Sequence, residues 1–286
     1  MNSASTSSGS LWRVENLENS SLAPIHRAKD LARDRSPLLF IHGVEFANAQ
    51  EAMRDFVNPM LDYLGRDRLR DKAIYVFSWN SLIVPRDLST MFFAAHPIKR
   101  LGLALTQLPK SPKYLADVER RAKDAARTLS PFISEWNSEN RVGPTVITHS
   151  MGSLVWVEAM KRIIESSSML ARPGIWWSLQ PAMPRHSLAD KGDYHMVSKL
   201  YTGHESAKAM IWYSRMDFIL SSLYMFSKPG LALGQWGCPE KKIPHRDVTN
   251  LVREAHGMTH LASLRGDFFR RVKNLLPIEA SNLGII

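Results

Sequence analysis

Short apolar runs recur along this chain, at Pro37–Ile41, 73–77, 145–148, 174–179 and 209–213. Each reads as a strand, and Pro37–Ile41 as one buried on both faces. Helical patterns fill the spaces between them. Ala52, Phe56, Met60 and Leu64 recur every four residues within 47–64. A long charged amphipathic pattern covers 114–136, with a break expected near Pro131. Another helix follows the 145–148 run to about Ser167. A last strand is expected within 242–251 and a terminal helix over 261–276. Strands alternating with helices specify an α/β fold: a mostly parallel, doubly wound sheet with helices on both faces. In such sheets the sites gather at the carboxyl ends of the strands.

The chain of 286 residues is 44% hydrophobic, enough for one large domain with an insertion. The expected organisation is an N-terminal extension over 1–35, partly disordered, followed by one domain over 36–286. The proline-punctuated apolar segment 82–113 breaks the strand–helix rhythm and reads as a cap or lid inserted in that domain. No apolar run approaches the ~20 uncharged residues of a membrane helix. The start, MNSASTSSGS, lacks a basic segment before an apolar core, so a cytoplasmic location is expected, with signal-independent secretion left open. A single cysteine, Cys238, excludes an intrachain disulfide and a cysteine-based metal site. The net charge of +10 favours polyanions in general. No zinc finger, RRM or KH signature accompanies it. Clusters such as Arg66/Arg68/Arg70/Lys72 and Arg120/Arg121/Lys123/Arg127 read first as solvated helix faces, and no specific nucleic-acid partner is expected.

The strongest local signal is Val146-Ile-Thr-His-Ser-Met-Gly-Ser-Leu154. A β-branched run ends at His149, Ser150 stands at a turn, and a helix begins. Such a strand–turn–helix presents a serine Oγ at the top of the sheet. The helix N-terminus adds positive potential where negative charge develops. The Met151 N–H is then one oxyanion donor. The pattern departs from G-x-S-x-G at Thr148 and keeps Gly152. The plain alternative is Ser150 as a helix cap. About 100 residues upstream, Leu38-Leu-Phe-Ile-His-Gly-Val44 ends a strand in His-Gly, and its loop offers a second donor, the Val44 N–H.

These segments together resemble a group of bacterial α/β-hydrolases close to esterases and lipases. The resemblance is carried by Phe40-Ile-His-Gly-Val44, Phe77-Ser-Trp-Asn-Ser81, His149-Ser-Met-Gly152, Tyr213-Ser-Arg-Met-Asp217 and a C-terminal histidine pair. It extends over roughly Pro37 to Leu276. The departures are Val44-Glu45 for tyrosine–asparagine, Asn80 for proline, and Gln180-Pro-Ala-Met183 where relatives often carry Pro-Asp. The resemblance implies an α/β-hydrolase fold with a small cap or lid, a serine nucleophile, and hydrolysis of an ester-type bond without a cofactor.

That fold orders its triad as Ser, then Asp or Glu, then His. Asp217 follows the 209–213 strand and is the expected acid. Asp190 and Asp193, after the preceding strand, are weaker candidates, and a plain helix cap is the alternative role for Asp217. His260 and His256 compete for the base, with His260 preferred. Their spacing also suits a metal pair on a helix, but Gly257 weakens a helix there and no H-E-x-x-H glutamate is present, so no metal is expected. The expected catalytic set is Ser150, Asp217 and His260, with Val44 and Met151 at the oxyanion hole. The expected substrate is a small-molecule or lipid carboxyl ester. Lys99 and Arg100 beside the apolar insertion also suit an anionic membrane surface. The alternatives are a hydrolase-fold binding protein without catalysis and an antibacterial phospholipase. Nothing in the sequence fixes an oligomeric state.

Overall fold

The computed structural model describes residues 8–31, 37–44, 46, 48–81, 111–167, 170–205, 207–217, 220–221, 224, 230–239, 243–252 and 267–286. Eight strands form one sheet in the order β2-β1-β4-β3-β5-β6-β7-β8. They are β1 (Gly9–Asn16), β2 (Ser21–Ile25), β3 (Pro37–Ile41), β4 (Ala73–Trp79), β5 (Thr145–His149), β6 (Ile175–Leu179), β7 (Lys208–Tyr213) and β8 (His245–Asp247). β1 runs antiparallel to both β2 and β4, and every pairing from β4 to β8 is parallel. The helices are α1 (Ala28–Leu31), α2 (Ala49–Ala52), α3 (Asn58–Leu64), α4 (Ser111–Glu139), α5 (Gly152–Ser166), α6 (His195–Gly203), α7 (Leu233–Trp236), α8 (Thr249–Val252), α9 (Asp267–Val272) and α10 (Leu275–Leu283). A π turn at Met53–Val57 joins α2 to α3.

The strand order dictates which face each helix covers. From β3 the chain moves outward to β4, then returns across β3 to β5 and continues through β6 and β7. Parallel crossovers are right-handed, so reversing direction puts the next helix on the opposite face. Two cores result, and period-two strands feed both. Leu39 and Ile41 of β3, Tyr75 and Phe77 of β4, and Trp176 of β6 pack with the buried face of α4, with α5 and with α6. Leu38, Phe40, Ile74, Val76 and Trp177 point the other way, onto α2, α3, α9 and α10. The C-terminal helix is fastened by polar contacts too. Glu279, buried in α10, accepts from Arg246 Nε of β8 at 2.7 Å and Trp212 Nε1 of β7 at 3.2 Å. The point where the strand order reverses lies between β3 and β5, and in such sheets the carboxyl ends at that point are where sites gather. This is the α/β-hydrolase fold, reached from strand order, crossover and the tight turn after β5.

Several expectations are corrected. Residues 9–25, counted within an N-terminal extension, form the hairpin β1–β2 that completes the sheet. Its Leu11 lies in the same core as Phe77 and Trp136. The helix over 111–139 is not broken at Pro131. Pro131 is exposed while Leu129, Ile133 and Trp136 are buried, so packing along one face holds the helix through a lost backbone bond. The last strand does fall within 242–251, but it has only three residues, and α8 begins at Thr249. The terminal helical region divides into α9 and α10, the second reaching beyond Leu276 to Leu283. The proposed cap falls outside the described residues over 82–110, while 111–113 open α4.

The buried hairpin can be tested directly. Leu11→Ala should cost about 2–5 kcal/mol in a single cooperative denaturant transition, as for a core leucine. A change within a few tenths of a kcal/mol would mean that 9–25 is an appendage instead.

Candidate active site

The site is built where β5 meets α5. β5 is buried at every position after Thr145, and the chain turns at Ser150 with φ 51. That is the left-handed region, which costs a residue with a side chain on the order of 1 kcal/mol or more. Ser150 is buried, and its N–H donates to the Leu179 carbonyl of β6 at 3.0 Å. The Ser153 N–H then donates back to the Ser150 carbonyl at 3.1 Å, starting the helical turn. Met151 is the N-cap of α5, with φ −65 and ψ −16. The first N–H groups of a helix have no acceptor within it, so this terminus offers donors.

Two glycines make the turn possible. A Cβ on Gly152 would lie 2.3 Å from the Ile41 carbonyl oxygen and 2.7 Å from that of His42. The α5 N-terminus therefore rests directly on the end of β3. A Cβ on Gly43 would lie 2.9 Å from the Ser150 Cβ and 3.2 Å from His149 Nδ1. The loop after β3 is thus pressed against the serine. Val44, half-buried and packed on the core, continues that loop.

Thr148 stands where the common pattern has its first glycine, and a buried polar network accounts for it. Its Oγ1 accepts from Trp176 Nε1 at 3.0 Å and bonds with Ser153 Oγ at 2.9 Å. Ser153 Oγ bonds in turn with Ser178 Oγ at 2.8 Å. The network ties β5, α5 and β6 together beneath Ser150. Among the residues missed in the sequence, Ser153, Trp176 and Ser178 belong to it.

His42 sets the loop after β3. Its Nε2 accepts from the Trp79 N–H at 3.3 Å, so Nδ1 carries the proton and donates to the Gly43 carbonyl at 2.7 Å. Trp79 Nε1 donates to the His42 carbonyl at 2.9 Å and its ring stacks on the imidazole at 12°. The Phe46 ring meets the imidazole edge-on at 5.2 Å between centroids. Complete burial lowers the His42 pKa to about 4, against the opposing pull of the Gly43 carbonyl and the charge of Glu51. His42 is therefore a neutral structural ring, and the Trp79 of the Phe77-Ser-Trp segment is its partner.

Asp217 lies two strands away from Ser150, after β7. It is fully buried. Its Oδ1 accepts from the Leu220 N–H at 2.9 Å, so the capping role is present. Its Oδ2 accepts from Gln180 Nε2 at 2.9 Å. Gln180 follows β6 with φ 46, so the ends of β5 and β6 both carry a left-handed residue with a side chain. Asp190 and Asp193 stand elsewhere. They line a surface cavity of about 360 Å³ with Lys161 and Glu165, which lie more than two turns along α5 from Ser150. His256 and His260 lie outside the described residues, in the stretch after α8. Among the described residues no group of three or more His, Cys, Asp or Glu side chains could hold a metal ion, and no helix is long and apolar enough to cross a membrane.

No family model matches the chain, and no curated protein matches it. Among solved structures it is similar to TT1662 from Thermus thermophilus, at 14% identity over 88% of this chain and 92% of that one, with a TM-score of 0.39. It is also similar to EstE1, a thermostable carboxylesterase cloned from a metagenomic library, at 12% identity over 88% of this chain and 80% of that one, with a TM-score of 0.37. Likeness of this degree carries no residue roles, and the fold rests on the chain's own topology.

The buried His42 has a consequence for pH. Its depressed pKa means that the unfolded chain takes up a proton which the folded one refuses. Stability is then complete above about pH 6.5 and falls as pH drops through about 4, by on the order of 3 kcal/mol. Denaturant midpoints measured across this range should show the decline, and His42→Gln should flatten it. An unchanged slope in that variant would show that His42 is not the group responsible.

Proposed function

We propose that this chain is a serine hydrolase that cleaves a carboxyl ester through an acyl-enzyme. The observation that carries the reading is Ser150, strained at the end of β5 with the Gly43 loop pressed on it. A serine held in the left-handed region by a strand, a helix and a close-packed glycine needs a reason beyond packing. Presenting an oxygen nucleophile above the sheet supplies one.

In this reading Ser150 Oγ attacks the acyl carbon. His260 takes its proton and passes it to the leaving alcohol, and water then releases the acid by the reverse steps. The N–H groups of Val44 and Met151 bind the oxyanion, one from the loop after β3 and one from the start of α5. Asp217 orients the imidazole and stabilises it when charged. The spacing supports this assignment. β5 and β7 are two strand intervals apart, about 10 Å. An imidazole hydrogen-bonded at both nitrogens spans about 8 Å between its partners, so one histidine from the segment after β8 suits the gap. Asp190 and Asp193, in the loop that lies beside the far part of α5, do not suit it. The substrate class is a carboxyl ester, and a lipid ester remains the finer proposal from the apolar segment 82–113.

Ser150→Ala should leave the fold intact and lower kcat by about 10⁴-fold or more. It should also abolish labelling by a fluorophosphonate probe. Undiminished labelling of the variant would remove Ser150 from the role, and a wild-type protein that neither labels nor hydrolyses a panel of esters would favour a binding protein on this fold.

The histidine is assigned by comparing two variants on one soluble short-chain ester. His260→Ala should abolish turnover and His256→Ala should keep most of it. The opposite ranking transfers the role to His256.

A further inference from the structure

Gln180 occupies the end of β6, between the strand that carries Ser150 and the strand that carries Asp217. Both neighbours hold its backbone in place. Its N–H donates to the Trp212 carbonyl of β7 at 2.9 Å, and the preceding Leu179 carbonyl receives the Ser150 N–H at 3.0 Å. The short helix α7 closes over the same point. The Gly234 N–H donates to the Pro181 carbonyl at 2.9 Å, and the Gly234 carbonyl accepts from the Ser214 N–H at 3.0 Å. One helix therefore ties the turn after β6 to the turn that leads into Asp217. Within this frame Gln180 is fully buried at φ 46, a conformation that residues with side chains rarely adopt.

Asp217 receives hydrogen bonds on both carboxylate oxygens from different directions, the Leu220 N–H on Oδ1 and Gln180 Nε2 on Oδ2. A single bond would leave the carboxylate free to turn about Cβ–Cγ, a soft torsion for aspartate. Two bonds fix its plane. The cap needs only the first. We infer that Gln180 is a positioning residue for the reaction: its side-chain amide sets the plane of the Asp217 carboxylate so that an oxygen lone pair is aimed at the catalytic histidine. The inference rests on the reading of Asp217 as the triad acid.

The chemistry of the amide suits the task. An arginine or lysine at this place would form an ion pair and draw off the negative charge that the imidazolium needs. A glutamine donates one hydrogen bond, carries no charge and does not titrate, so the restraint is the same at every working pH. The charged side chains of the adjoining turn and strand, Arg215 and Asp247, pair with each other at 3.2 Å.

The test compares wild type, Gln180→Met, Gln180→Glu and Asp217→Asn on a soluble short-chain p-nitrophenyl ester, with kcat and KM followed from acid to alkaline pH. Melting curves of each variant report folding over the same range. Gln180→Met keeps the length and loses the donor. It should lower kcat by about 10- to 100-fold, the rate equivalent of a hydrogen bond to a charged group, with KM little changed. Gln180→Glu keeps the shape and donates only while protonated. It should approach wild type at the acid end and lose activity as pH rises, a limb the wild type lacks. Should Gln180→Met fail to fold, the acid end of the Gln180→Glu profile still decides. Wild-type behaviour of both Gln180 variants with an inactive Asp217→Asn overturns the inference alone, as does a raised KM with unchanged kcat in Gln180→Met. Near-full activity of Asp217→Asn overturns the triad reading and the inference together.

Discussion

The start of α5 lies on the end of β3 so closely that only a glycine fits between them. At Gly152 a Cβ would sit 2.3 Å from one carbonyl oxygen of that strand and 2.7 Å from the next. No side chain can yield at such a contact, because the obstacle is backbone. This approach forces the chain to reverse within two residues of the end of β5, and it leaves Ser150 in the left-handed region. It also brings the Gly43 loop beside the serine, since β3 and β5 are neighbours in the sheet. Ser150 and the Gly43 loop are thus joined by one packing constraint. The rest of the sheet, with its two cores, keeps β3 and β5 in register so that the constraint holds.

A turn this tight usually asks for small residues on both sides of the serine. Here the first position is Thr148, and its side chain is accommodated because its hydroxyl is engaged at once by Trp176 and Ser153. Small size is replaced by full hydrogen bonding. A buried hydroxyl costs little when its donors and acceptors are met, and a connected network stiffens what it connects. Strain at Ser150 can persist only where the surroundings over-determine it. The Thr148–Ser153–Ser178 network and the Leu179 carbonyl do this from beneath.

The central strands were legible in the sequence because they are buried on both faces. Runs such as Leu38-Leu-Phe-Ile41 have no polar interruption to confuse the reading. The edge hairpin was not legible. β1 and β2 carry Ser, Arg, Glu and Asn, and only Leu11 and Val14 of β1 are buried hydrophobic residues. Their pairing depends on β4, some sixty residues later, which no local pattern reveals. The unbroken helix at Pro131 was missed for a related reason: propensity reads a proline in isolation, while the helix is held by the face it buries. At the candidate site, the turn at Ser150 and Gly152 was legible because it is local, and the place of Asp217 because it follows a strand. Gln180 was visible only as a departure from a resemblance. Its meaning comes from a partner 37 positions away, and long-range polar pairs leave no periodic trace. Asp190 and Asp193 share with Asp217 an order in the chain after Ser150 but not its place on the sheet.

The outer strands bear on how this protein can associate. β2 forms one margin of the sheet, and its exposed Pro24, paired with Trp12 in register, has no N–H to offer a neighbour. The other margin is β8, only three residues long and too brief to template another strand. A sheet with a proline at one border and a stub at the other resists growing sideways into a second molecule. The parallel strands inside are thereby shielded from the aggregation that open sheet borders invite.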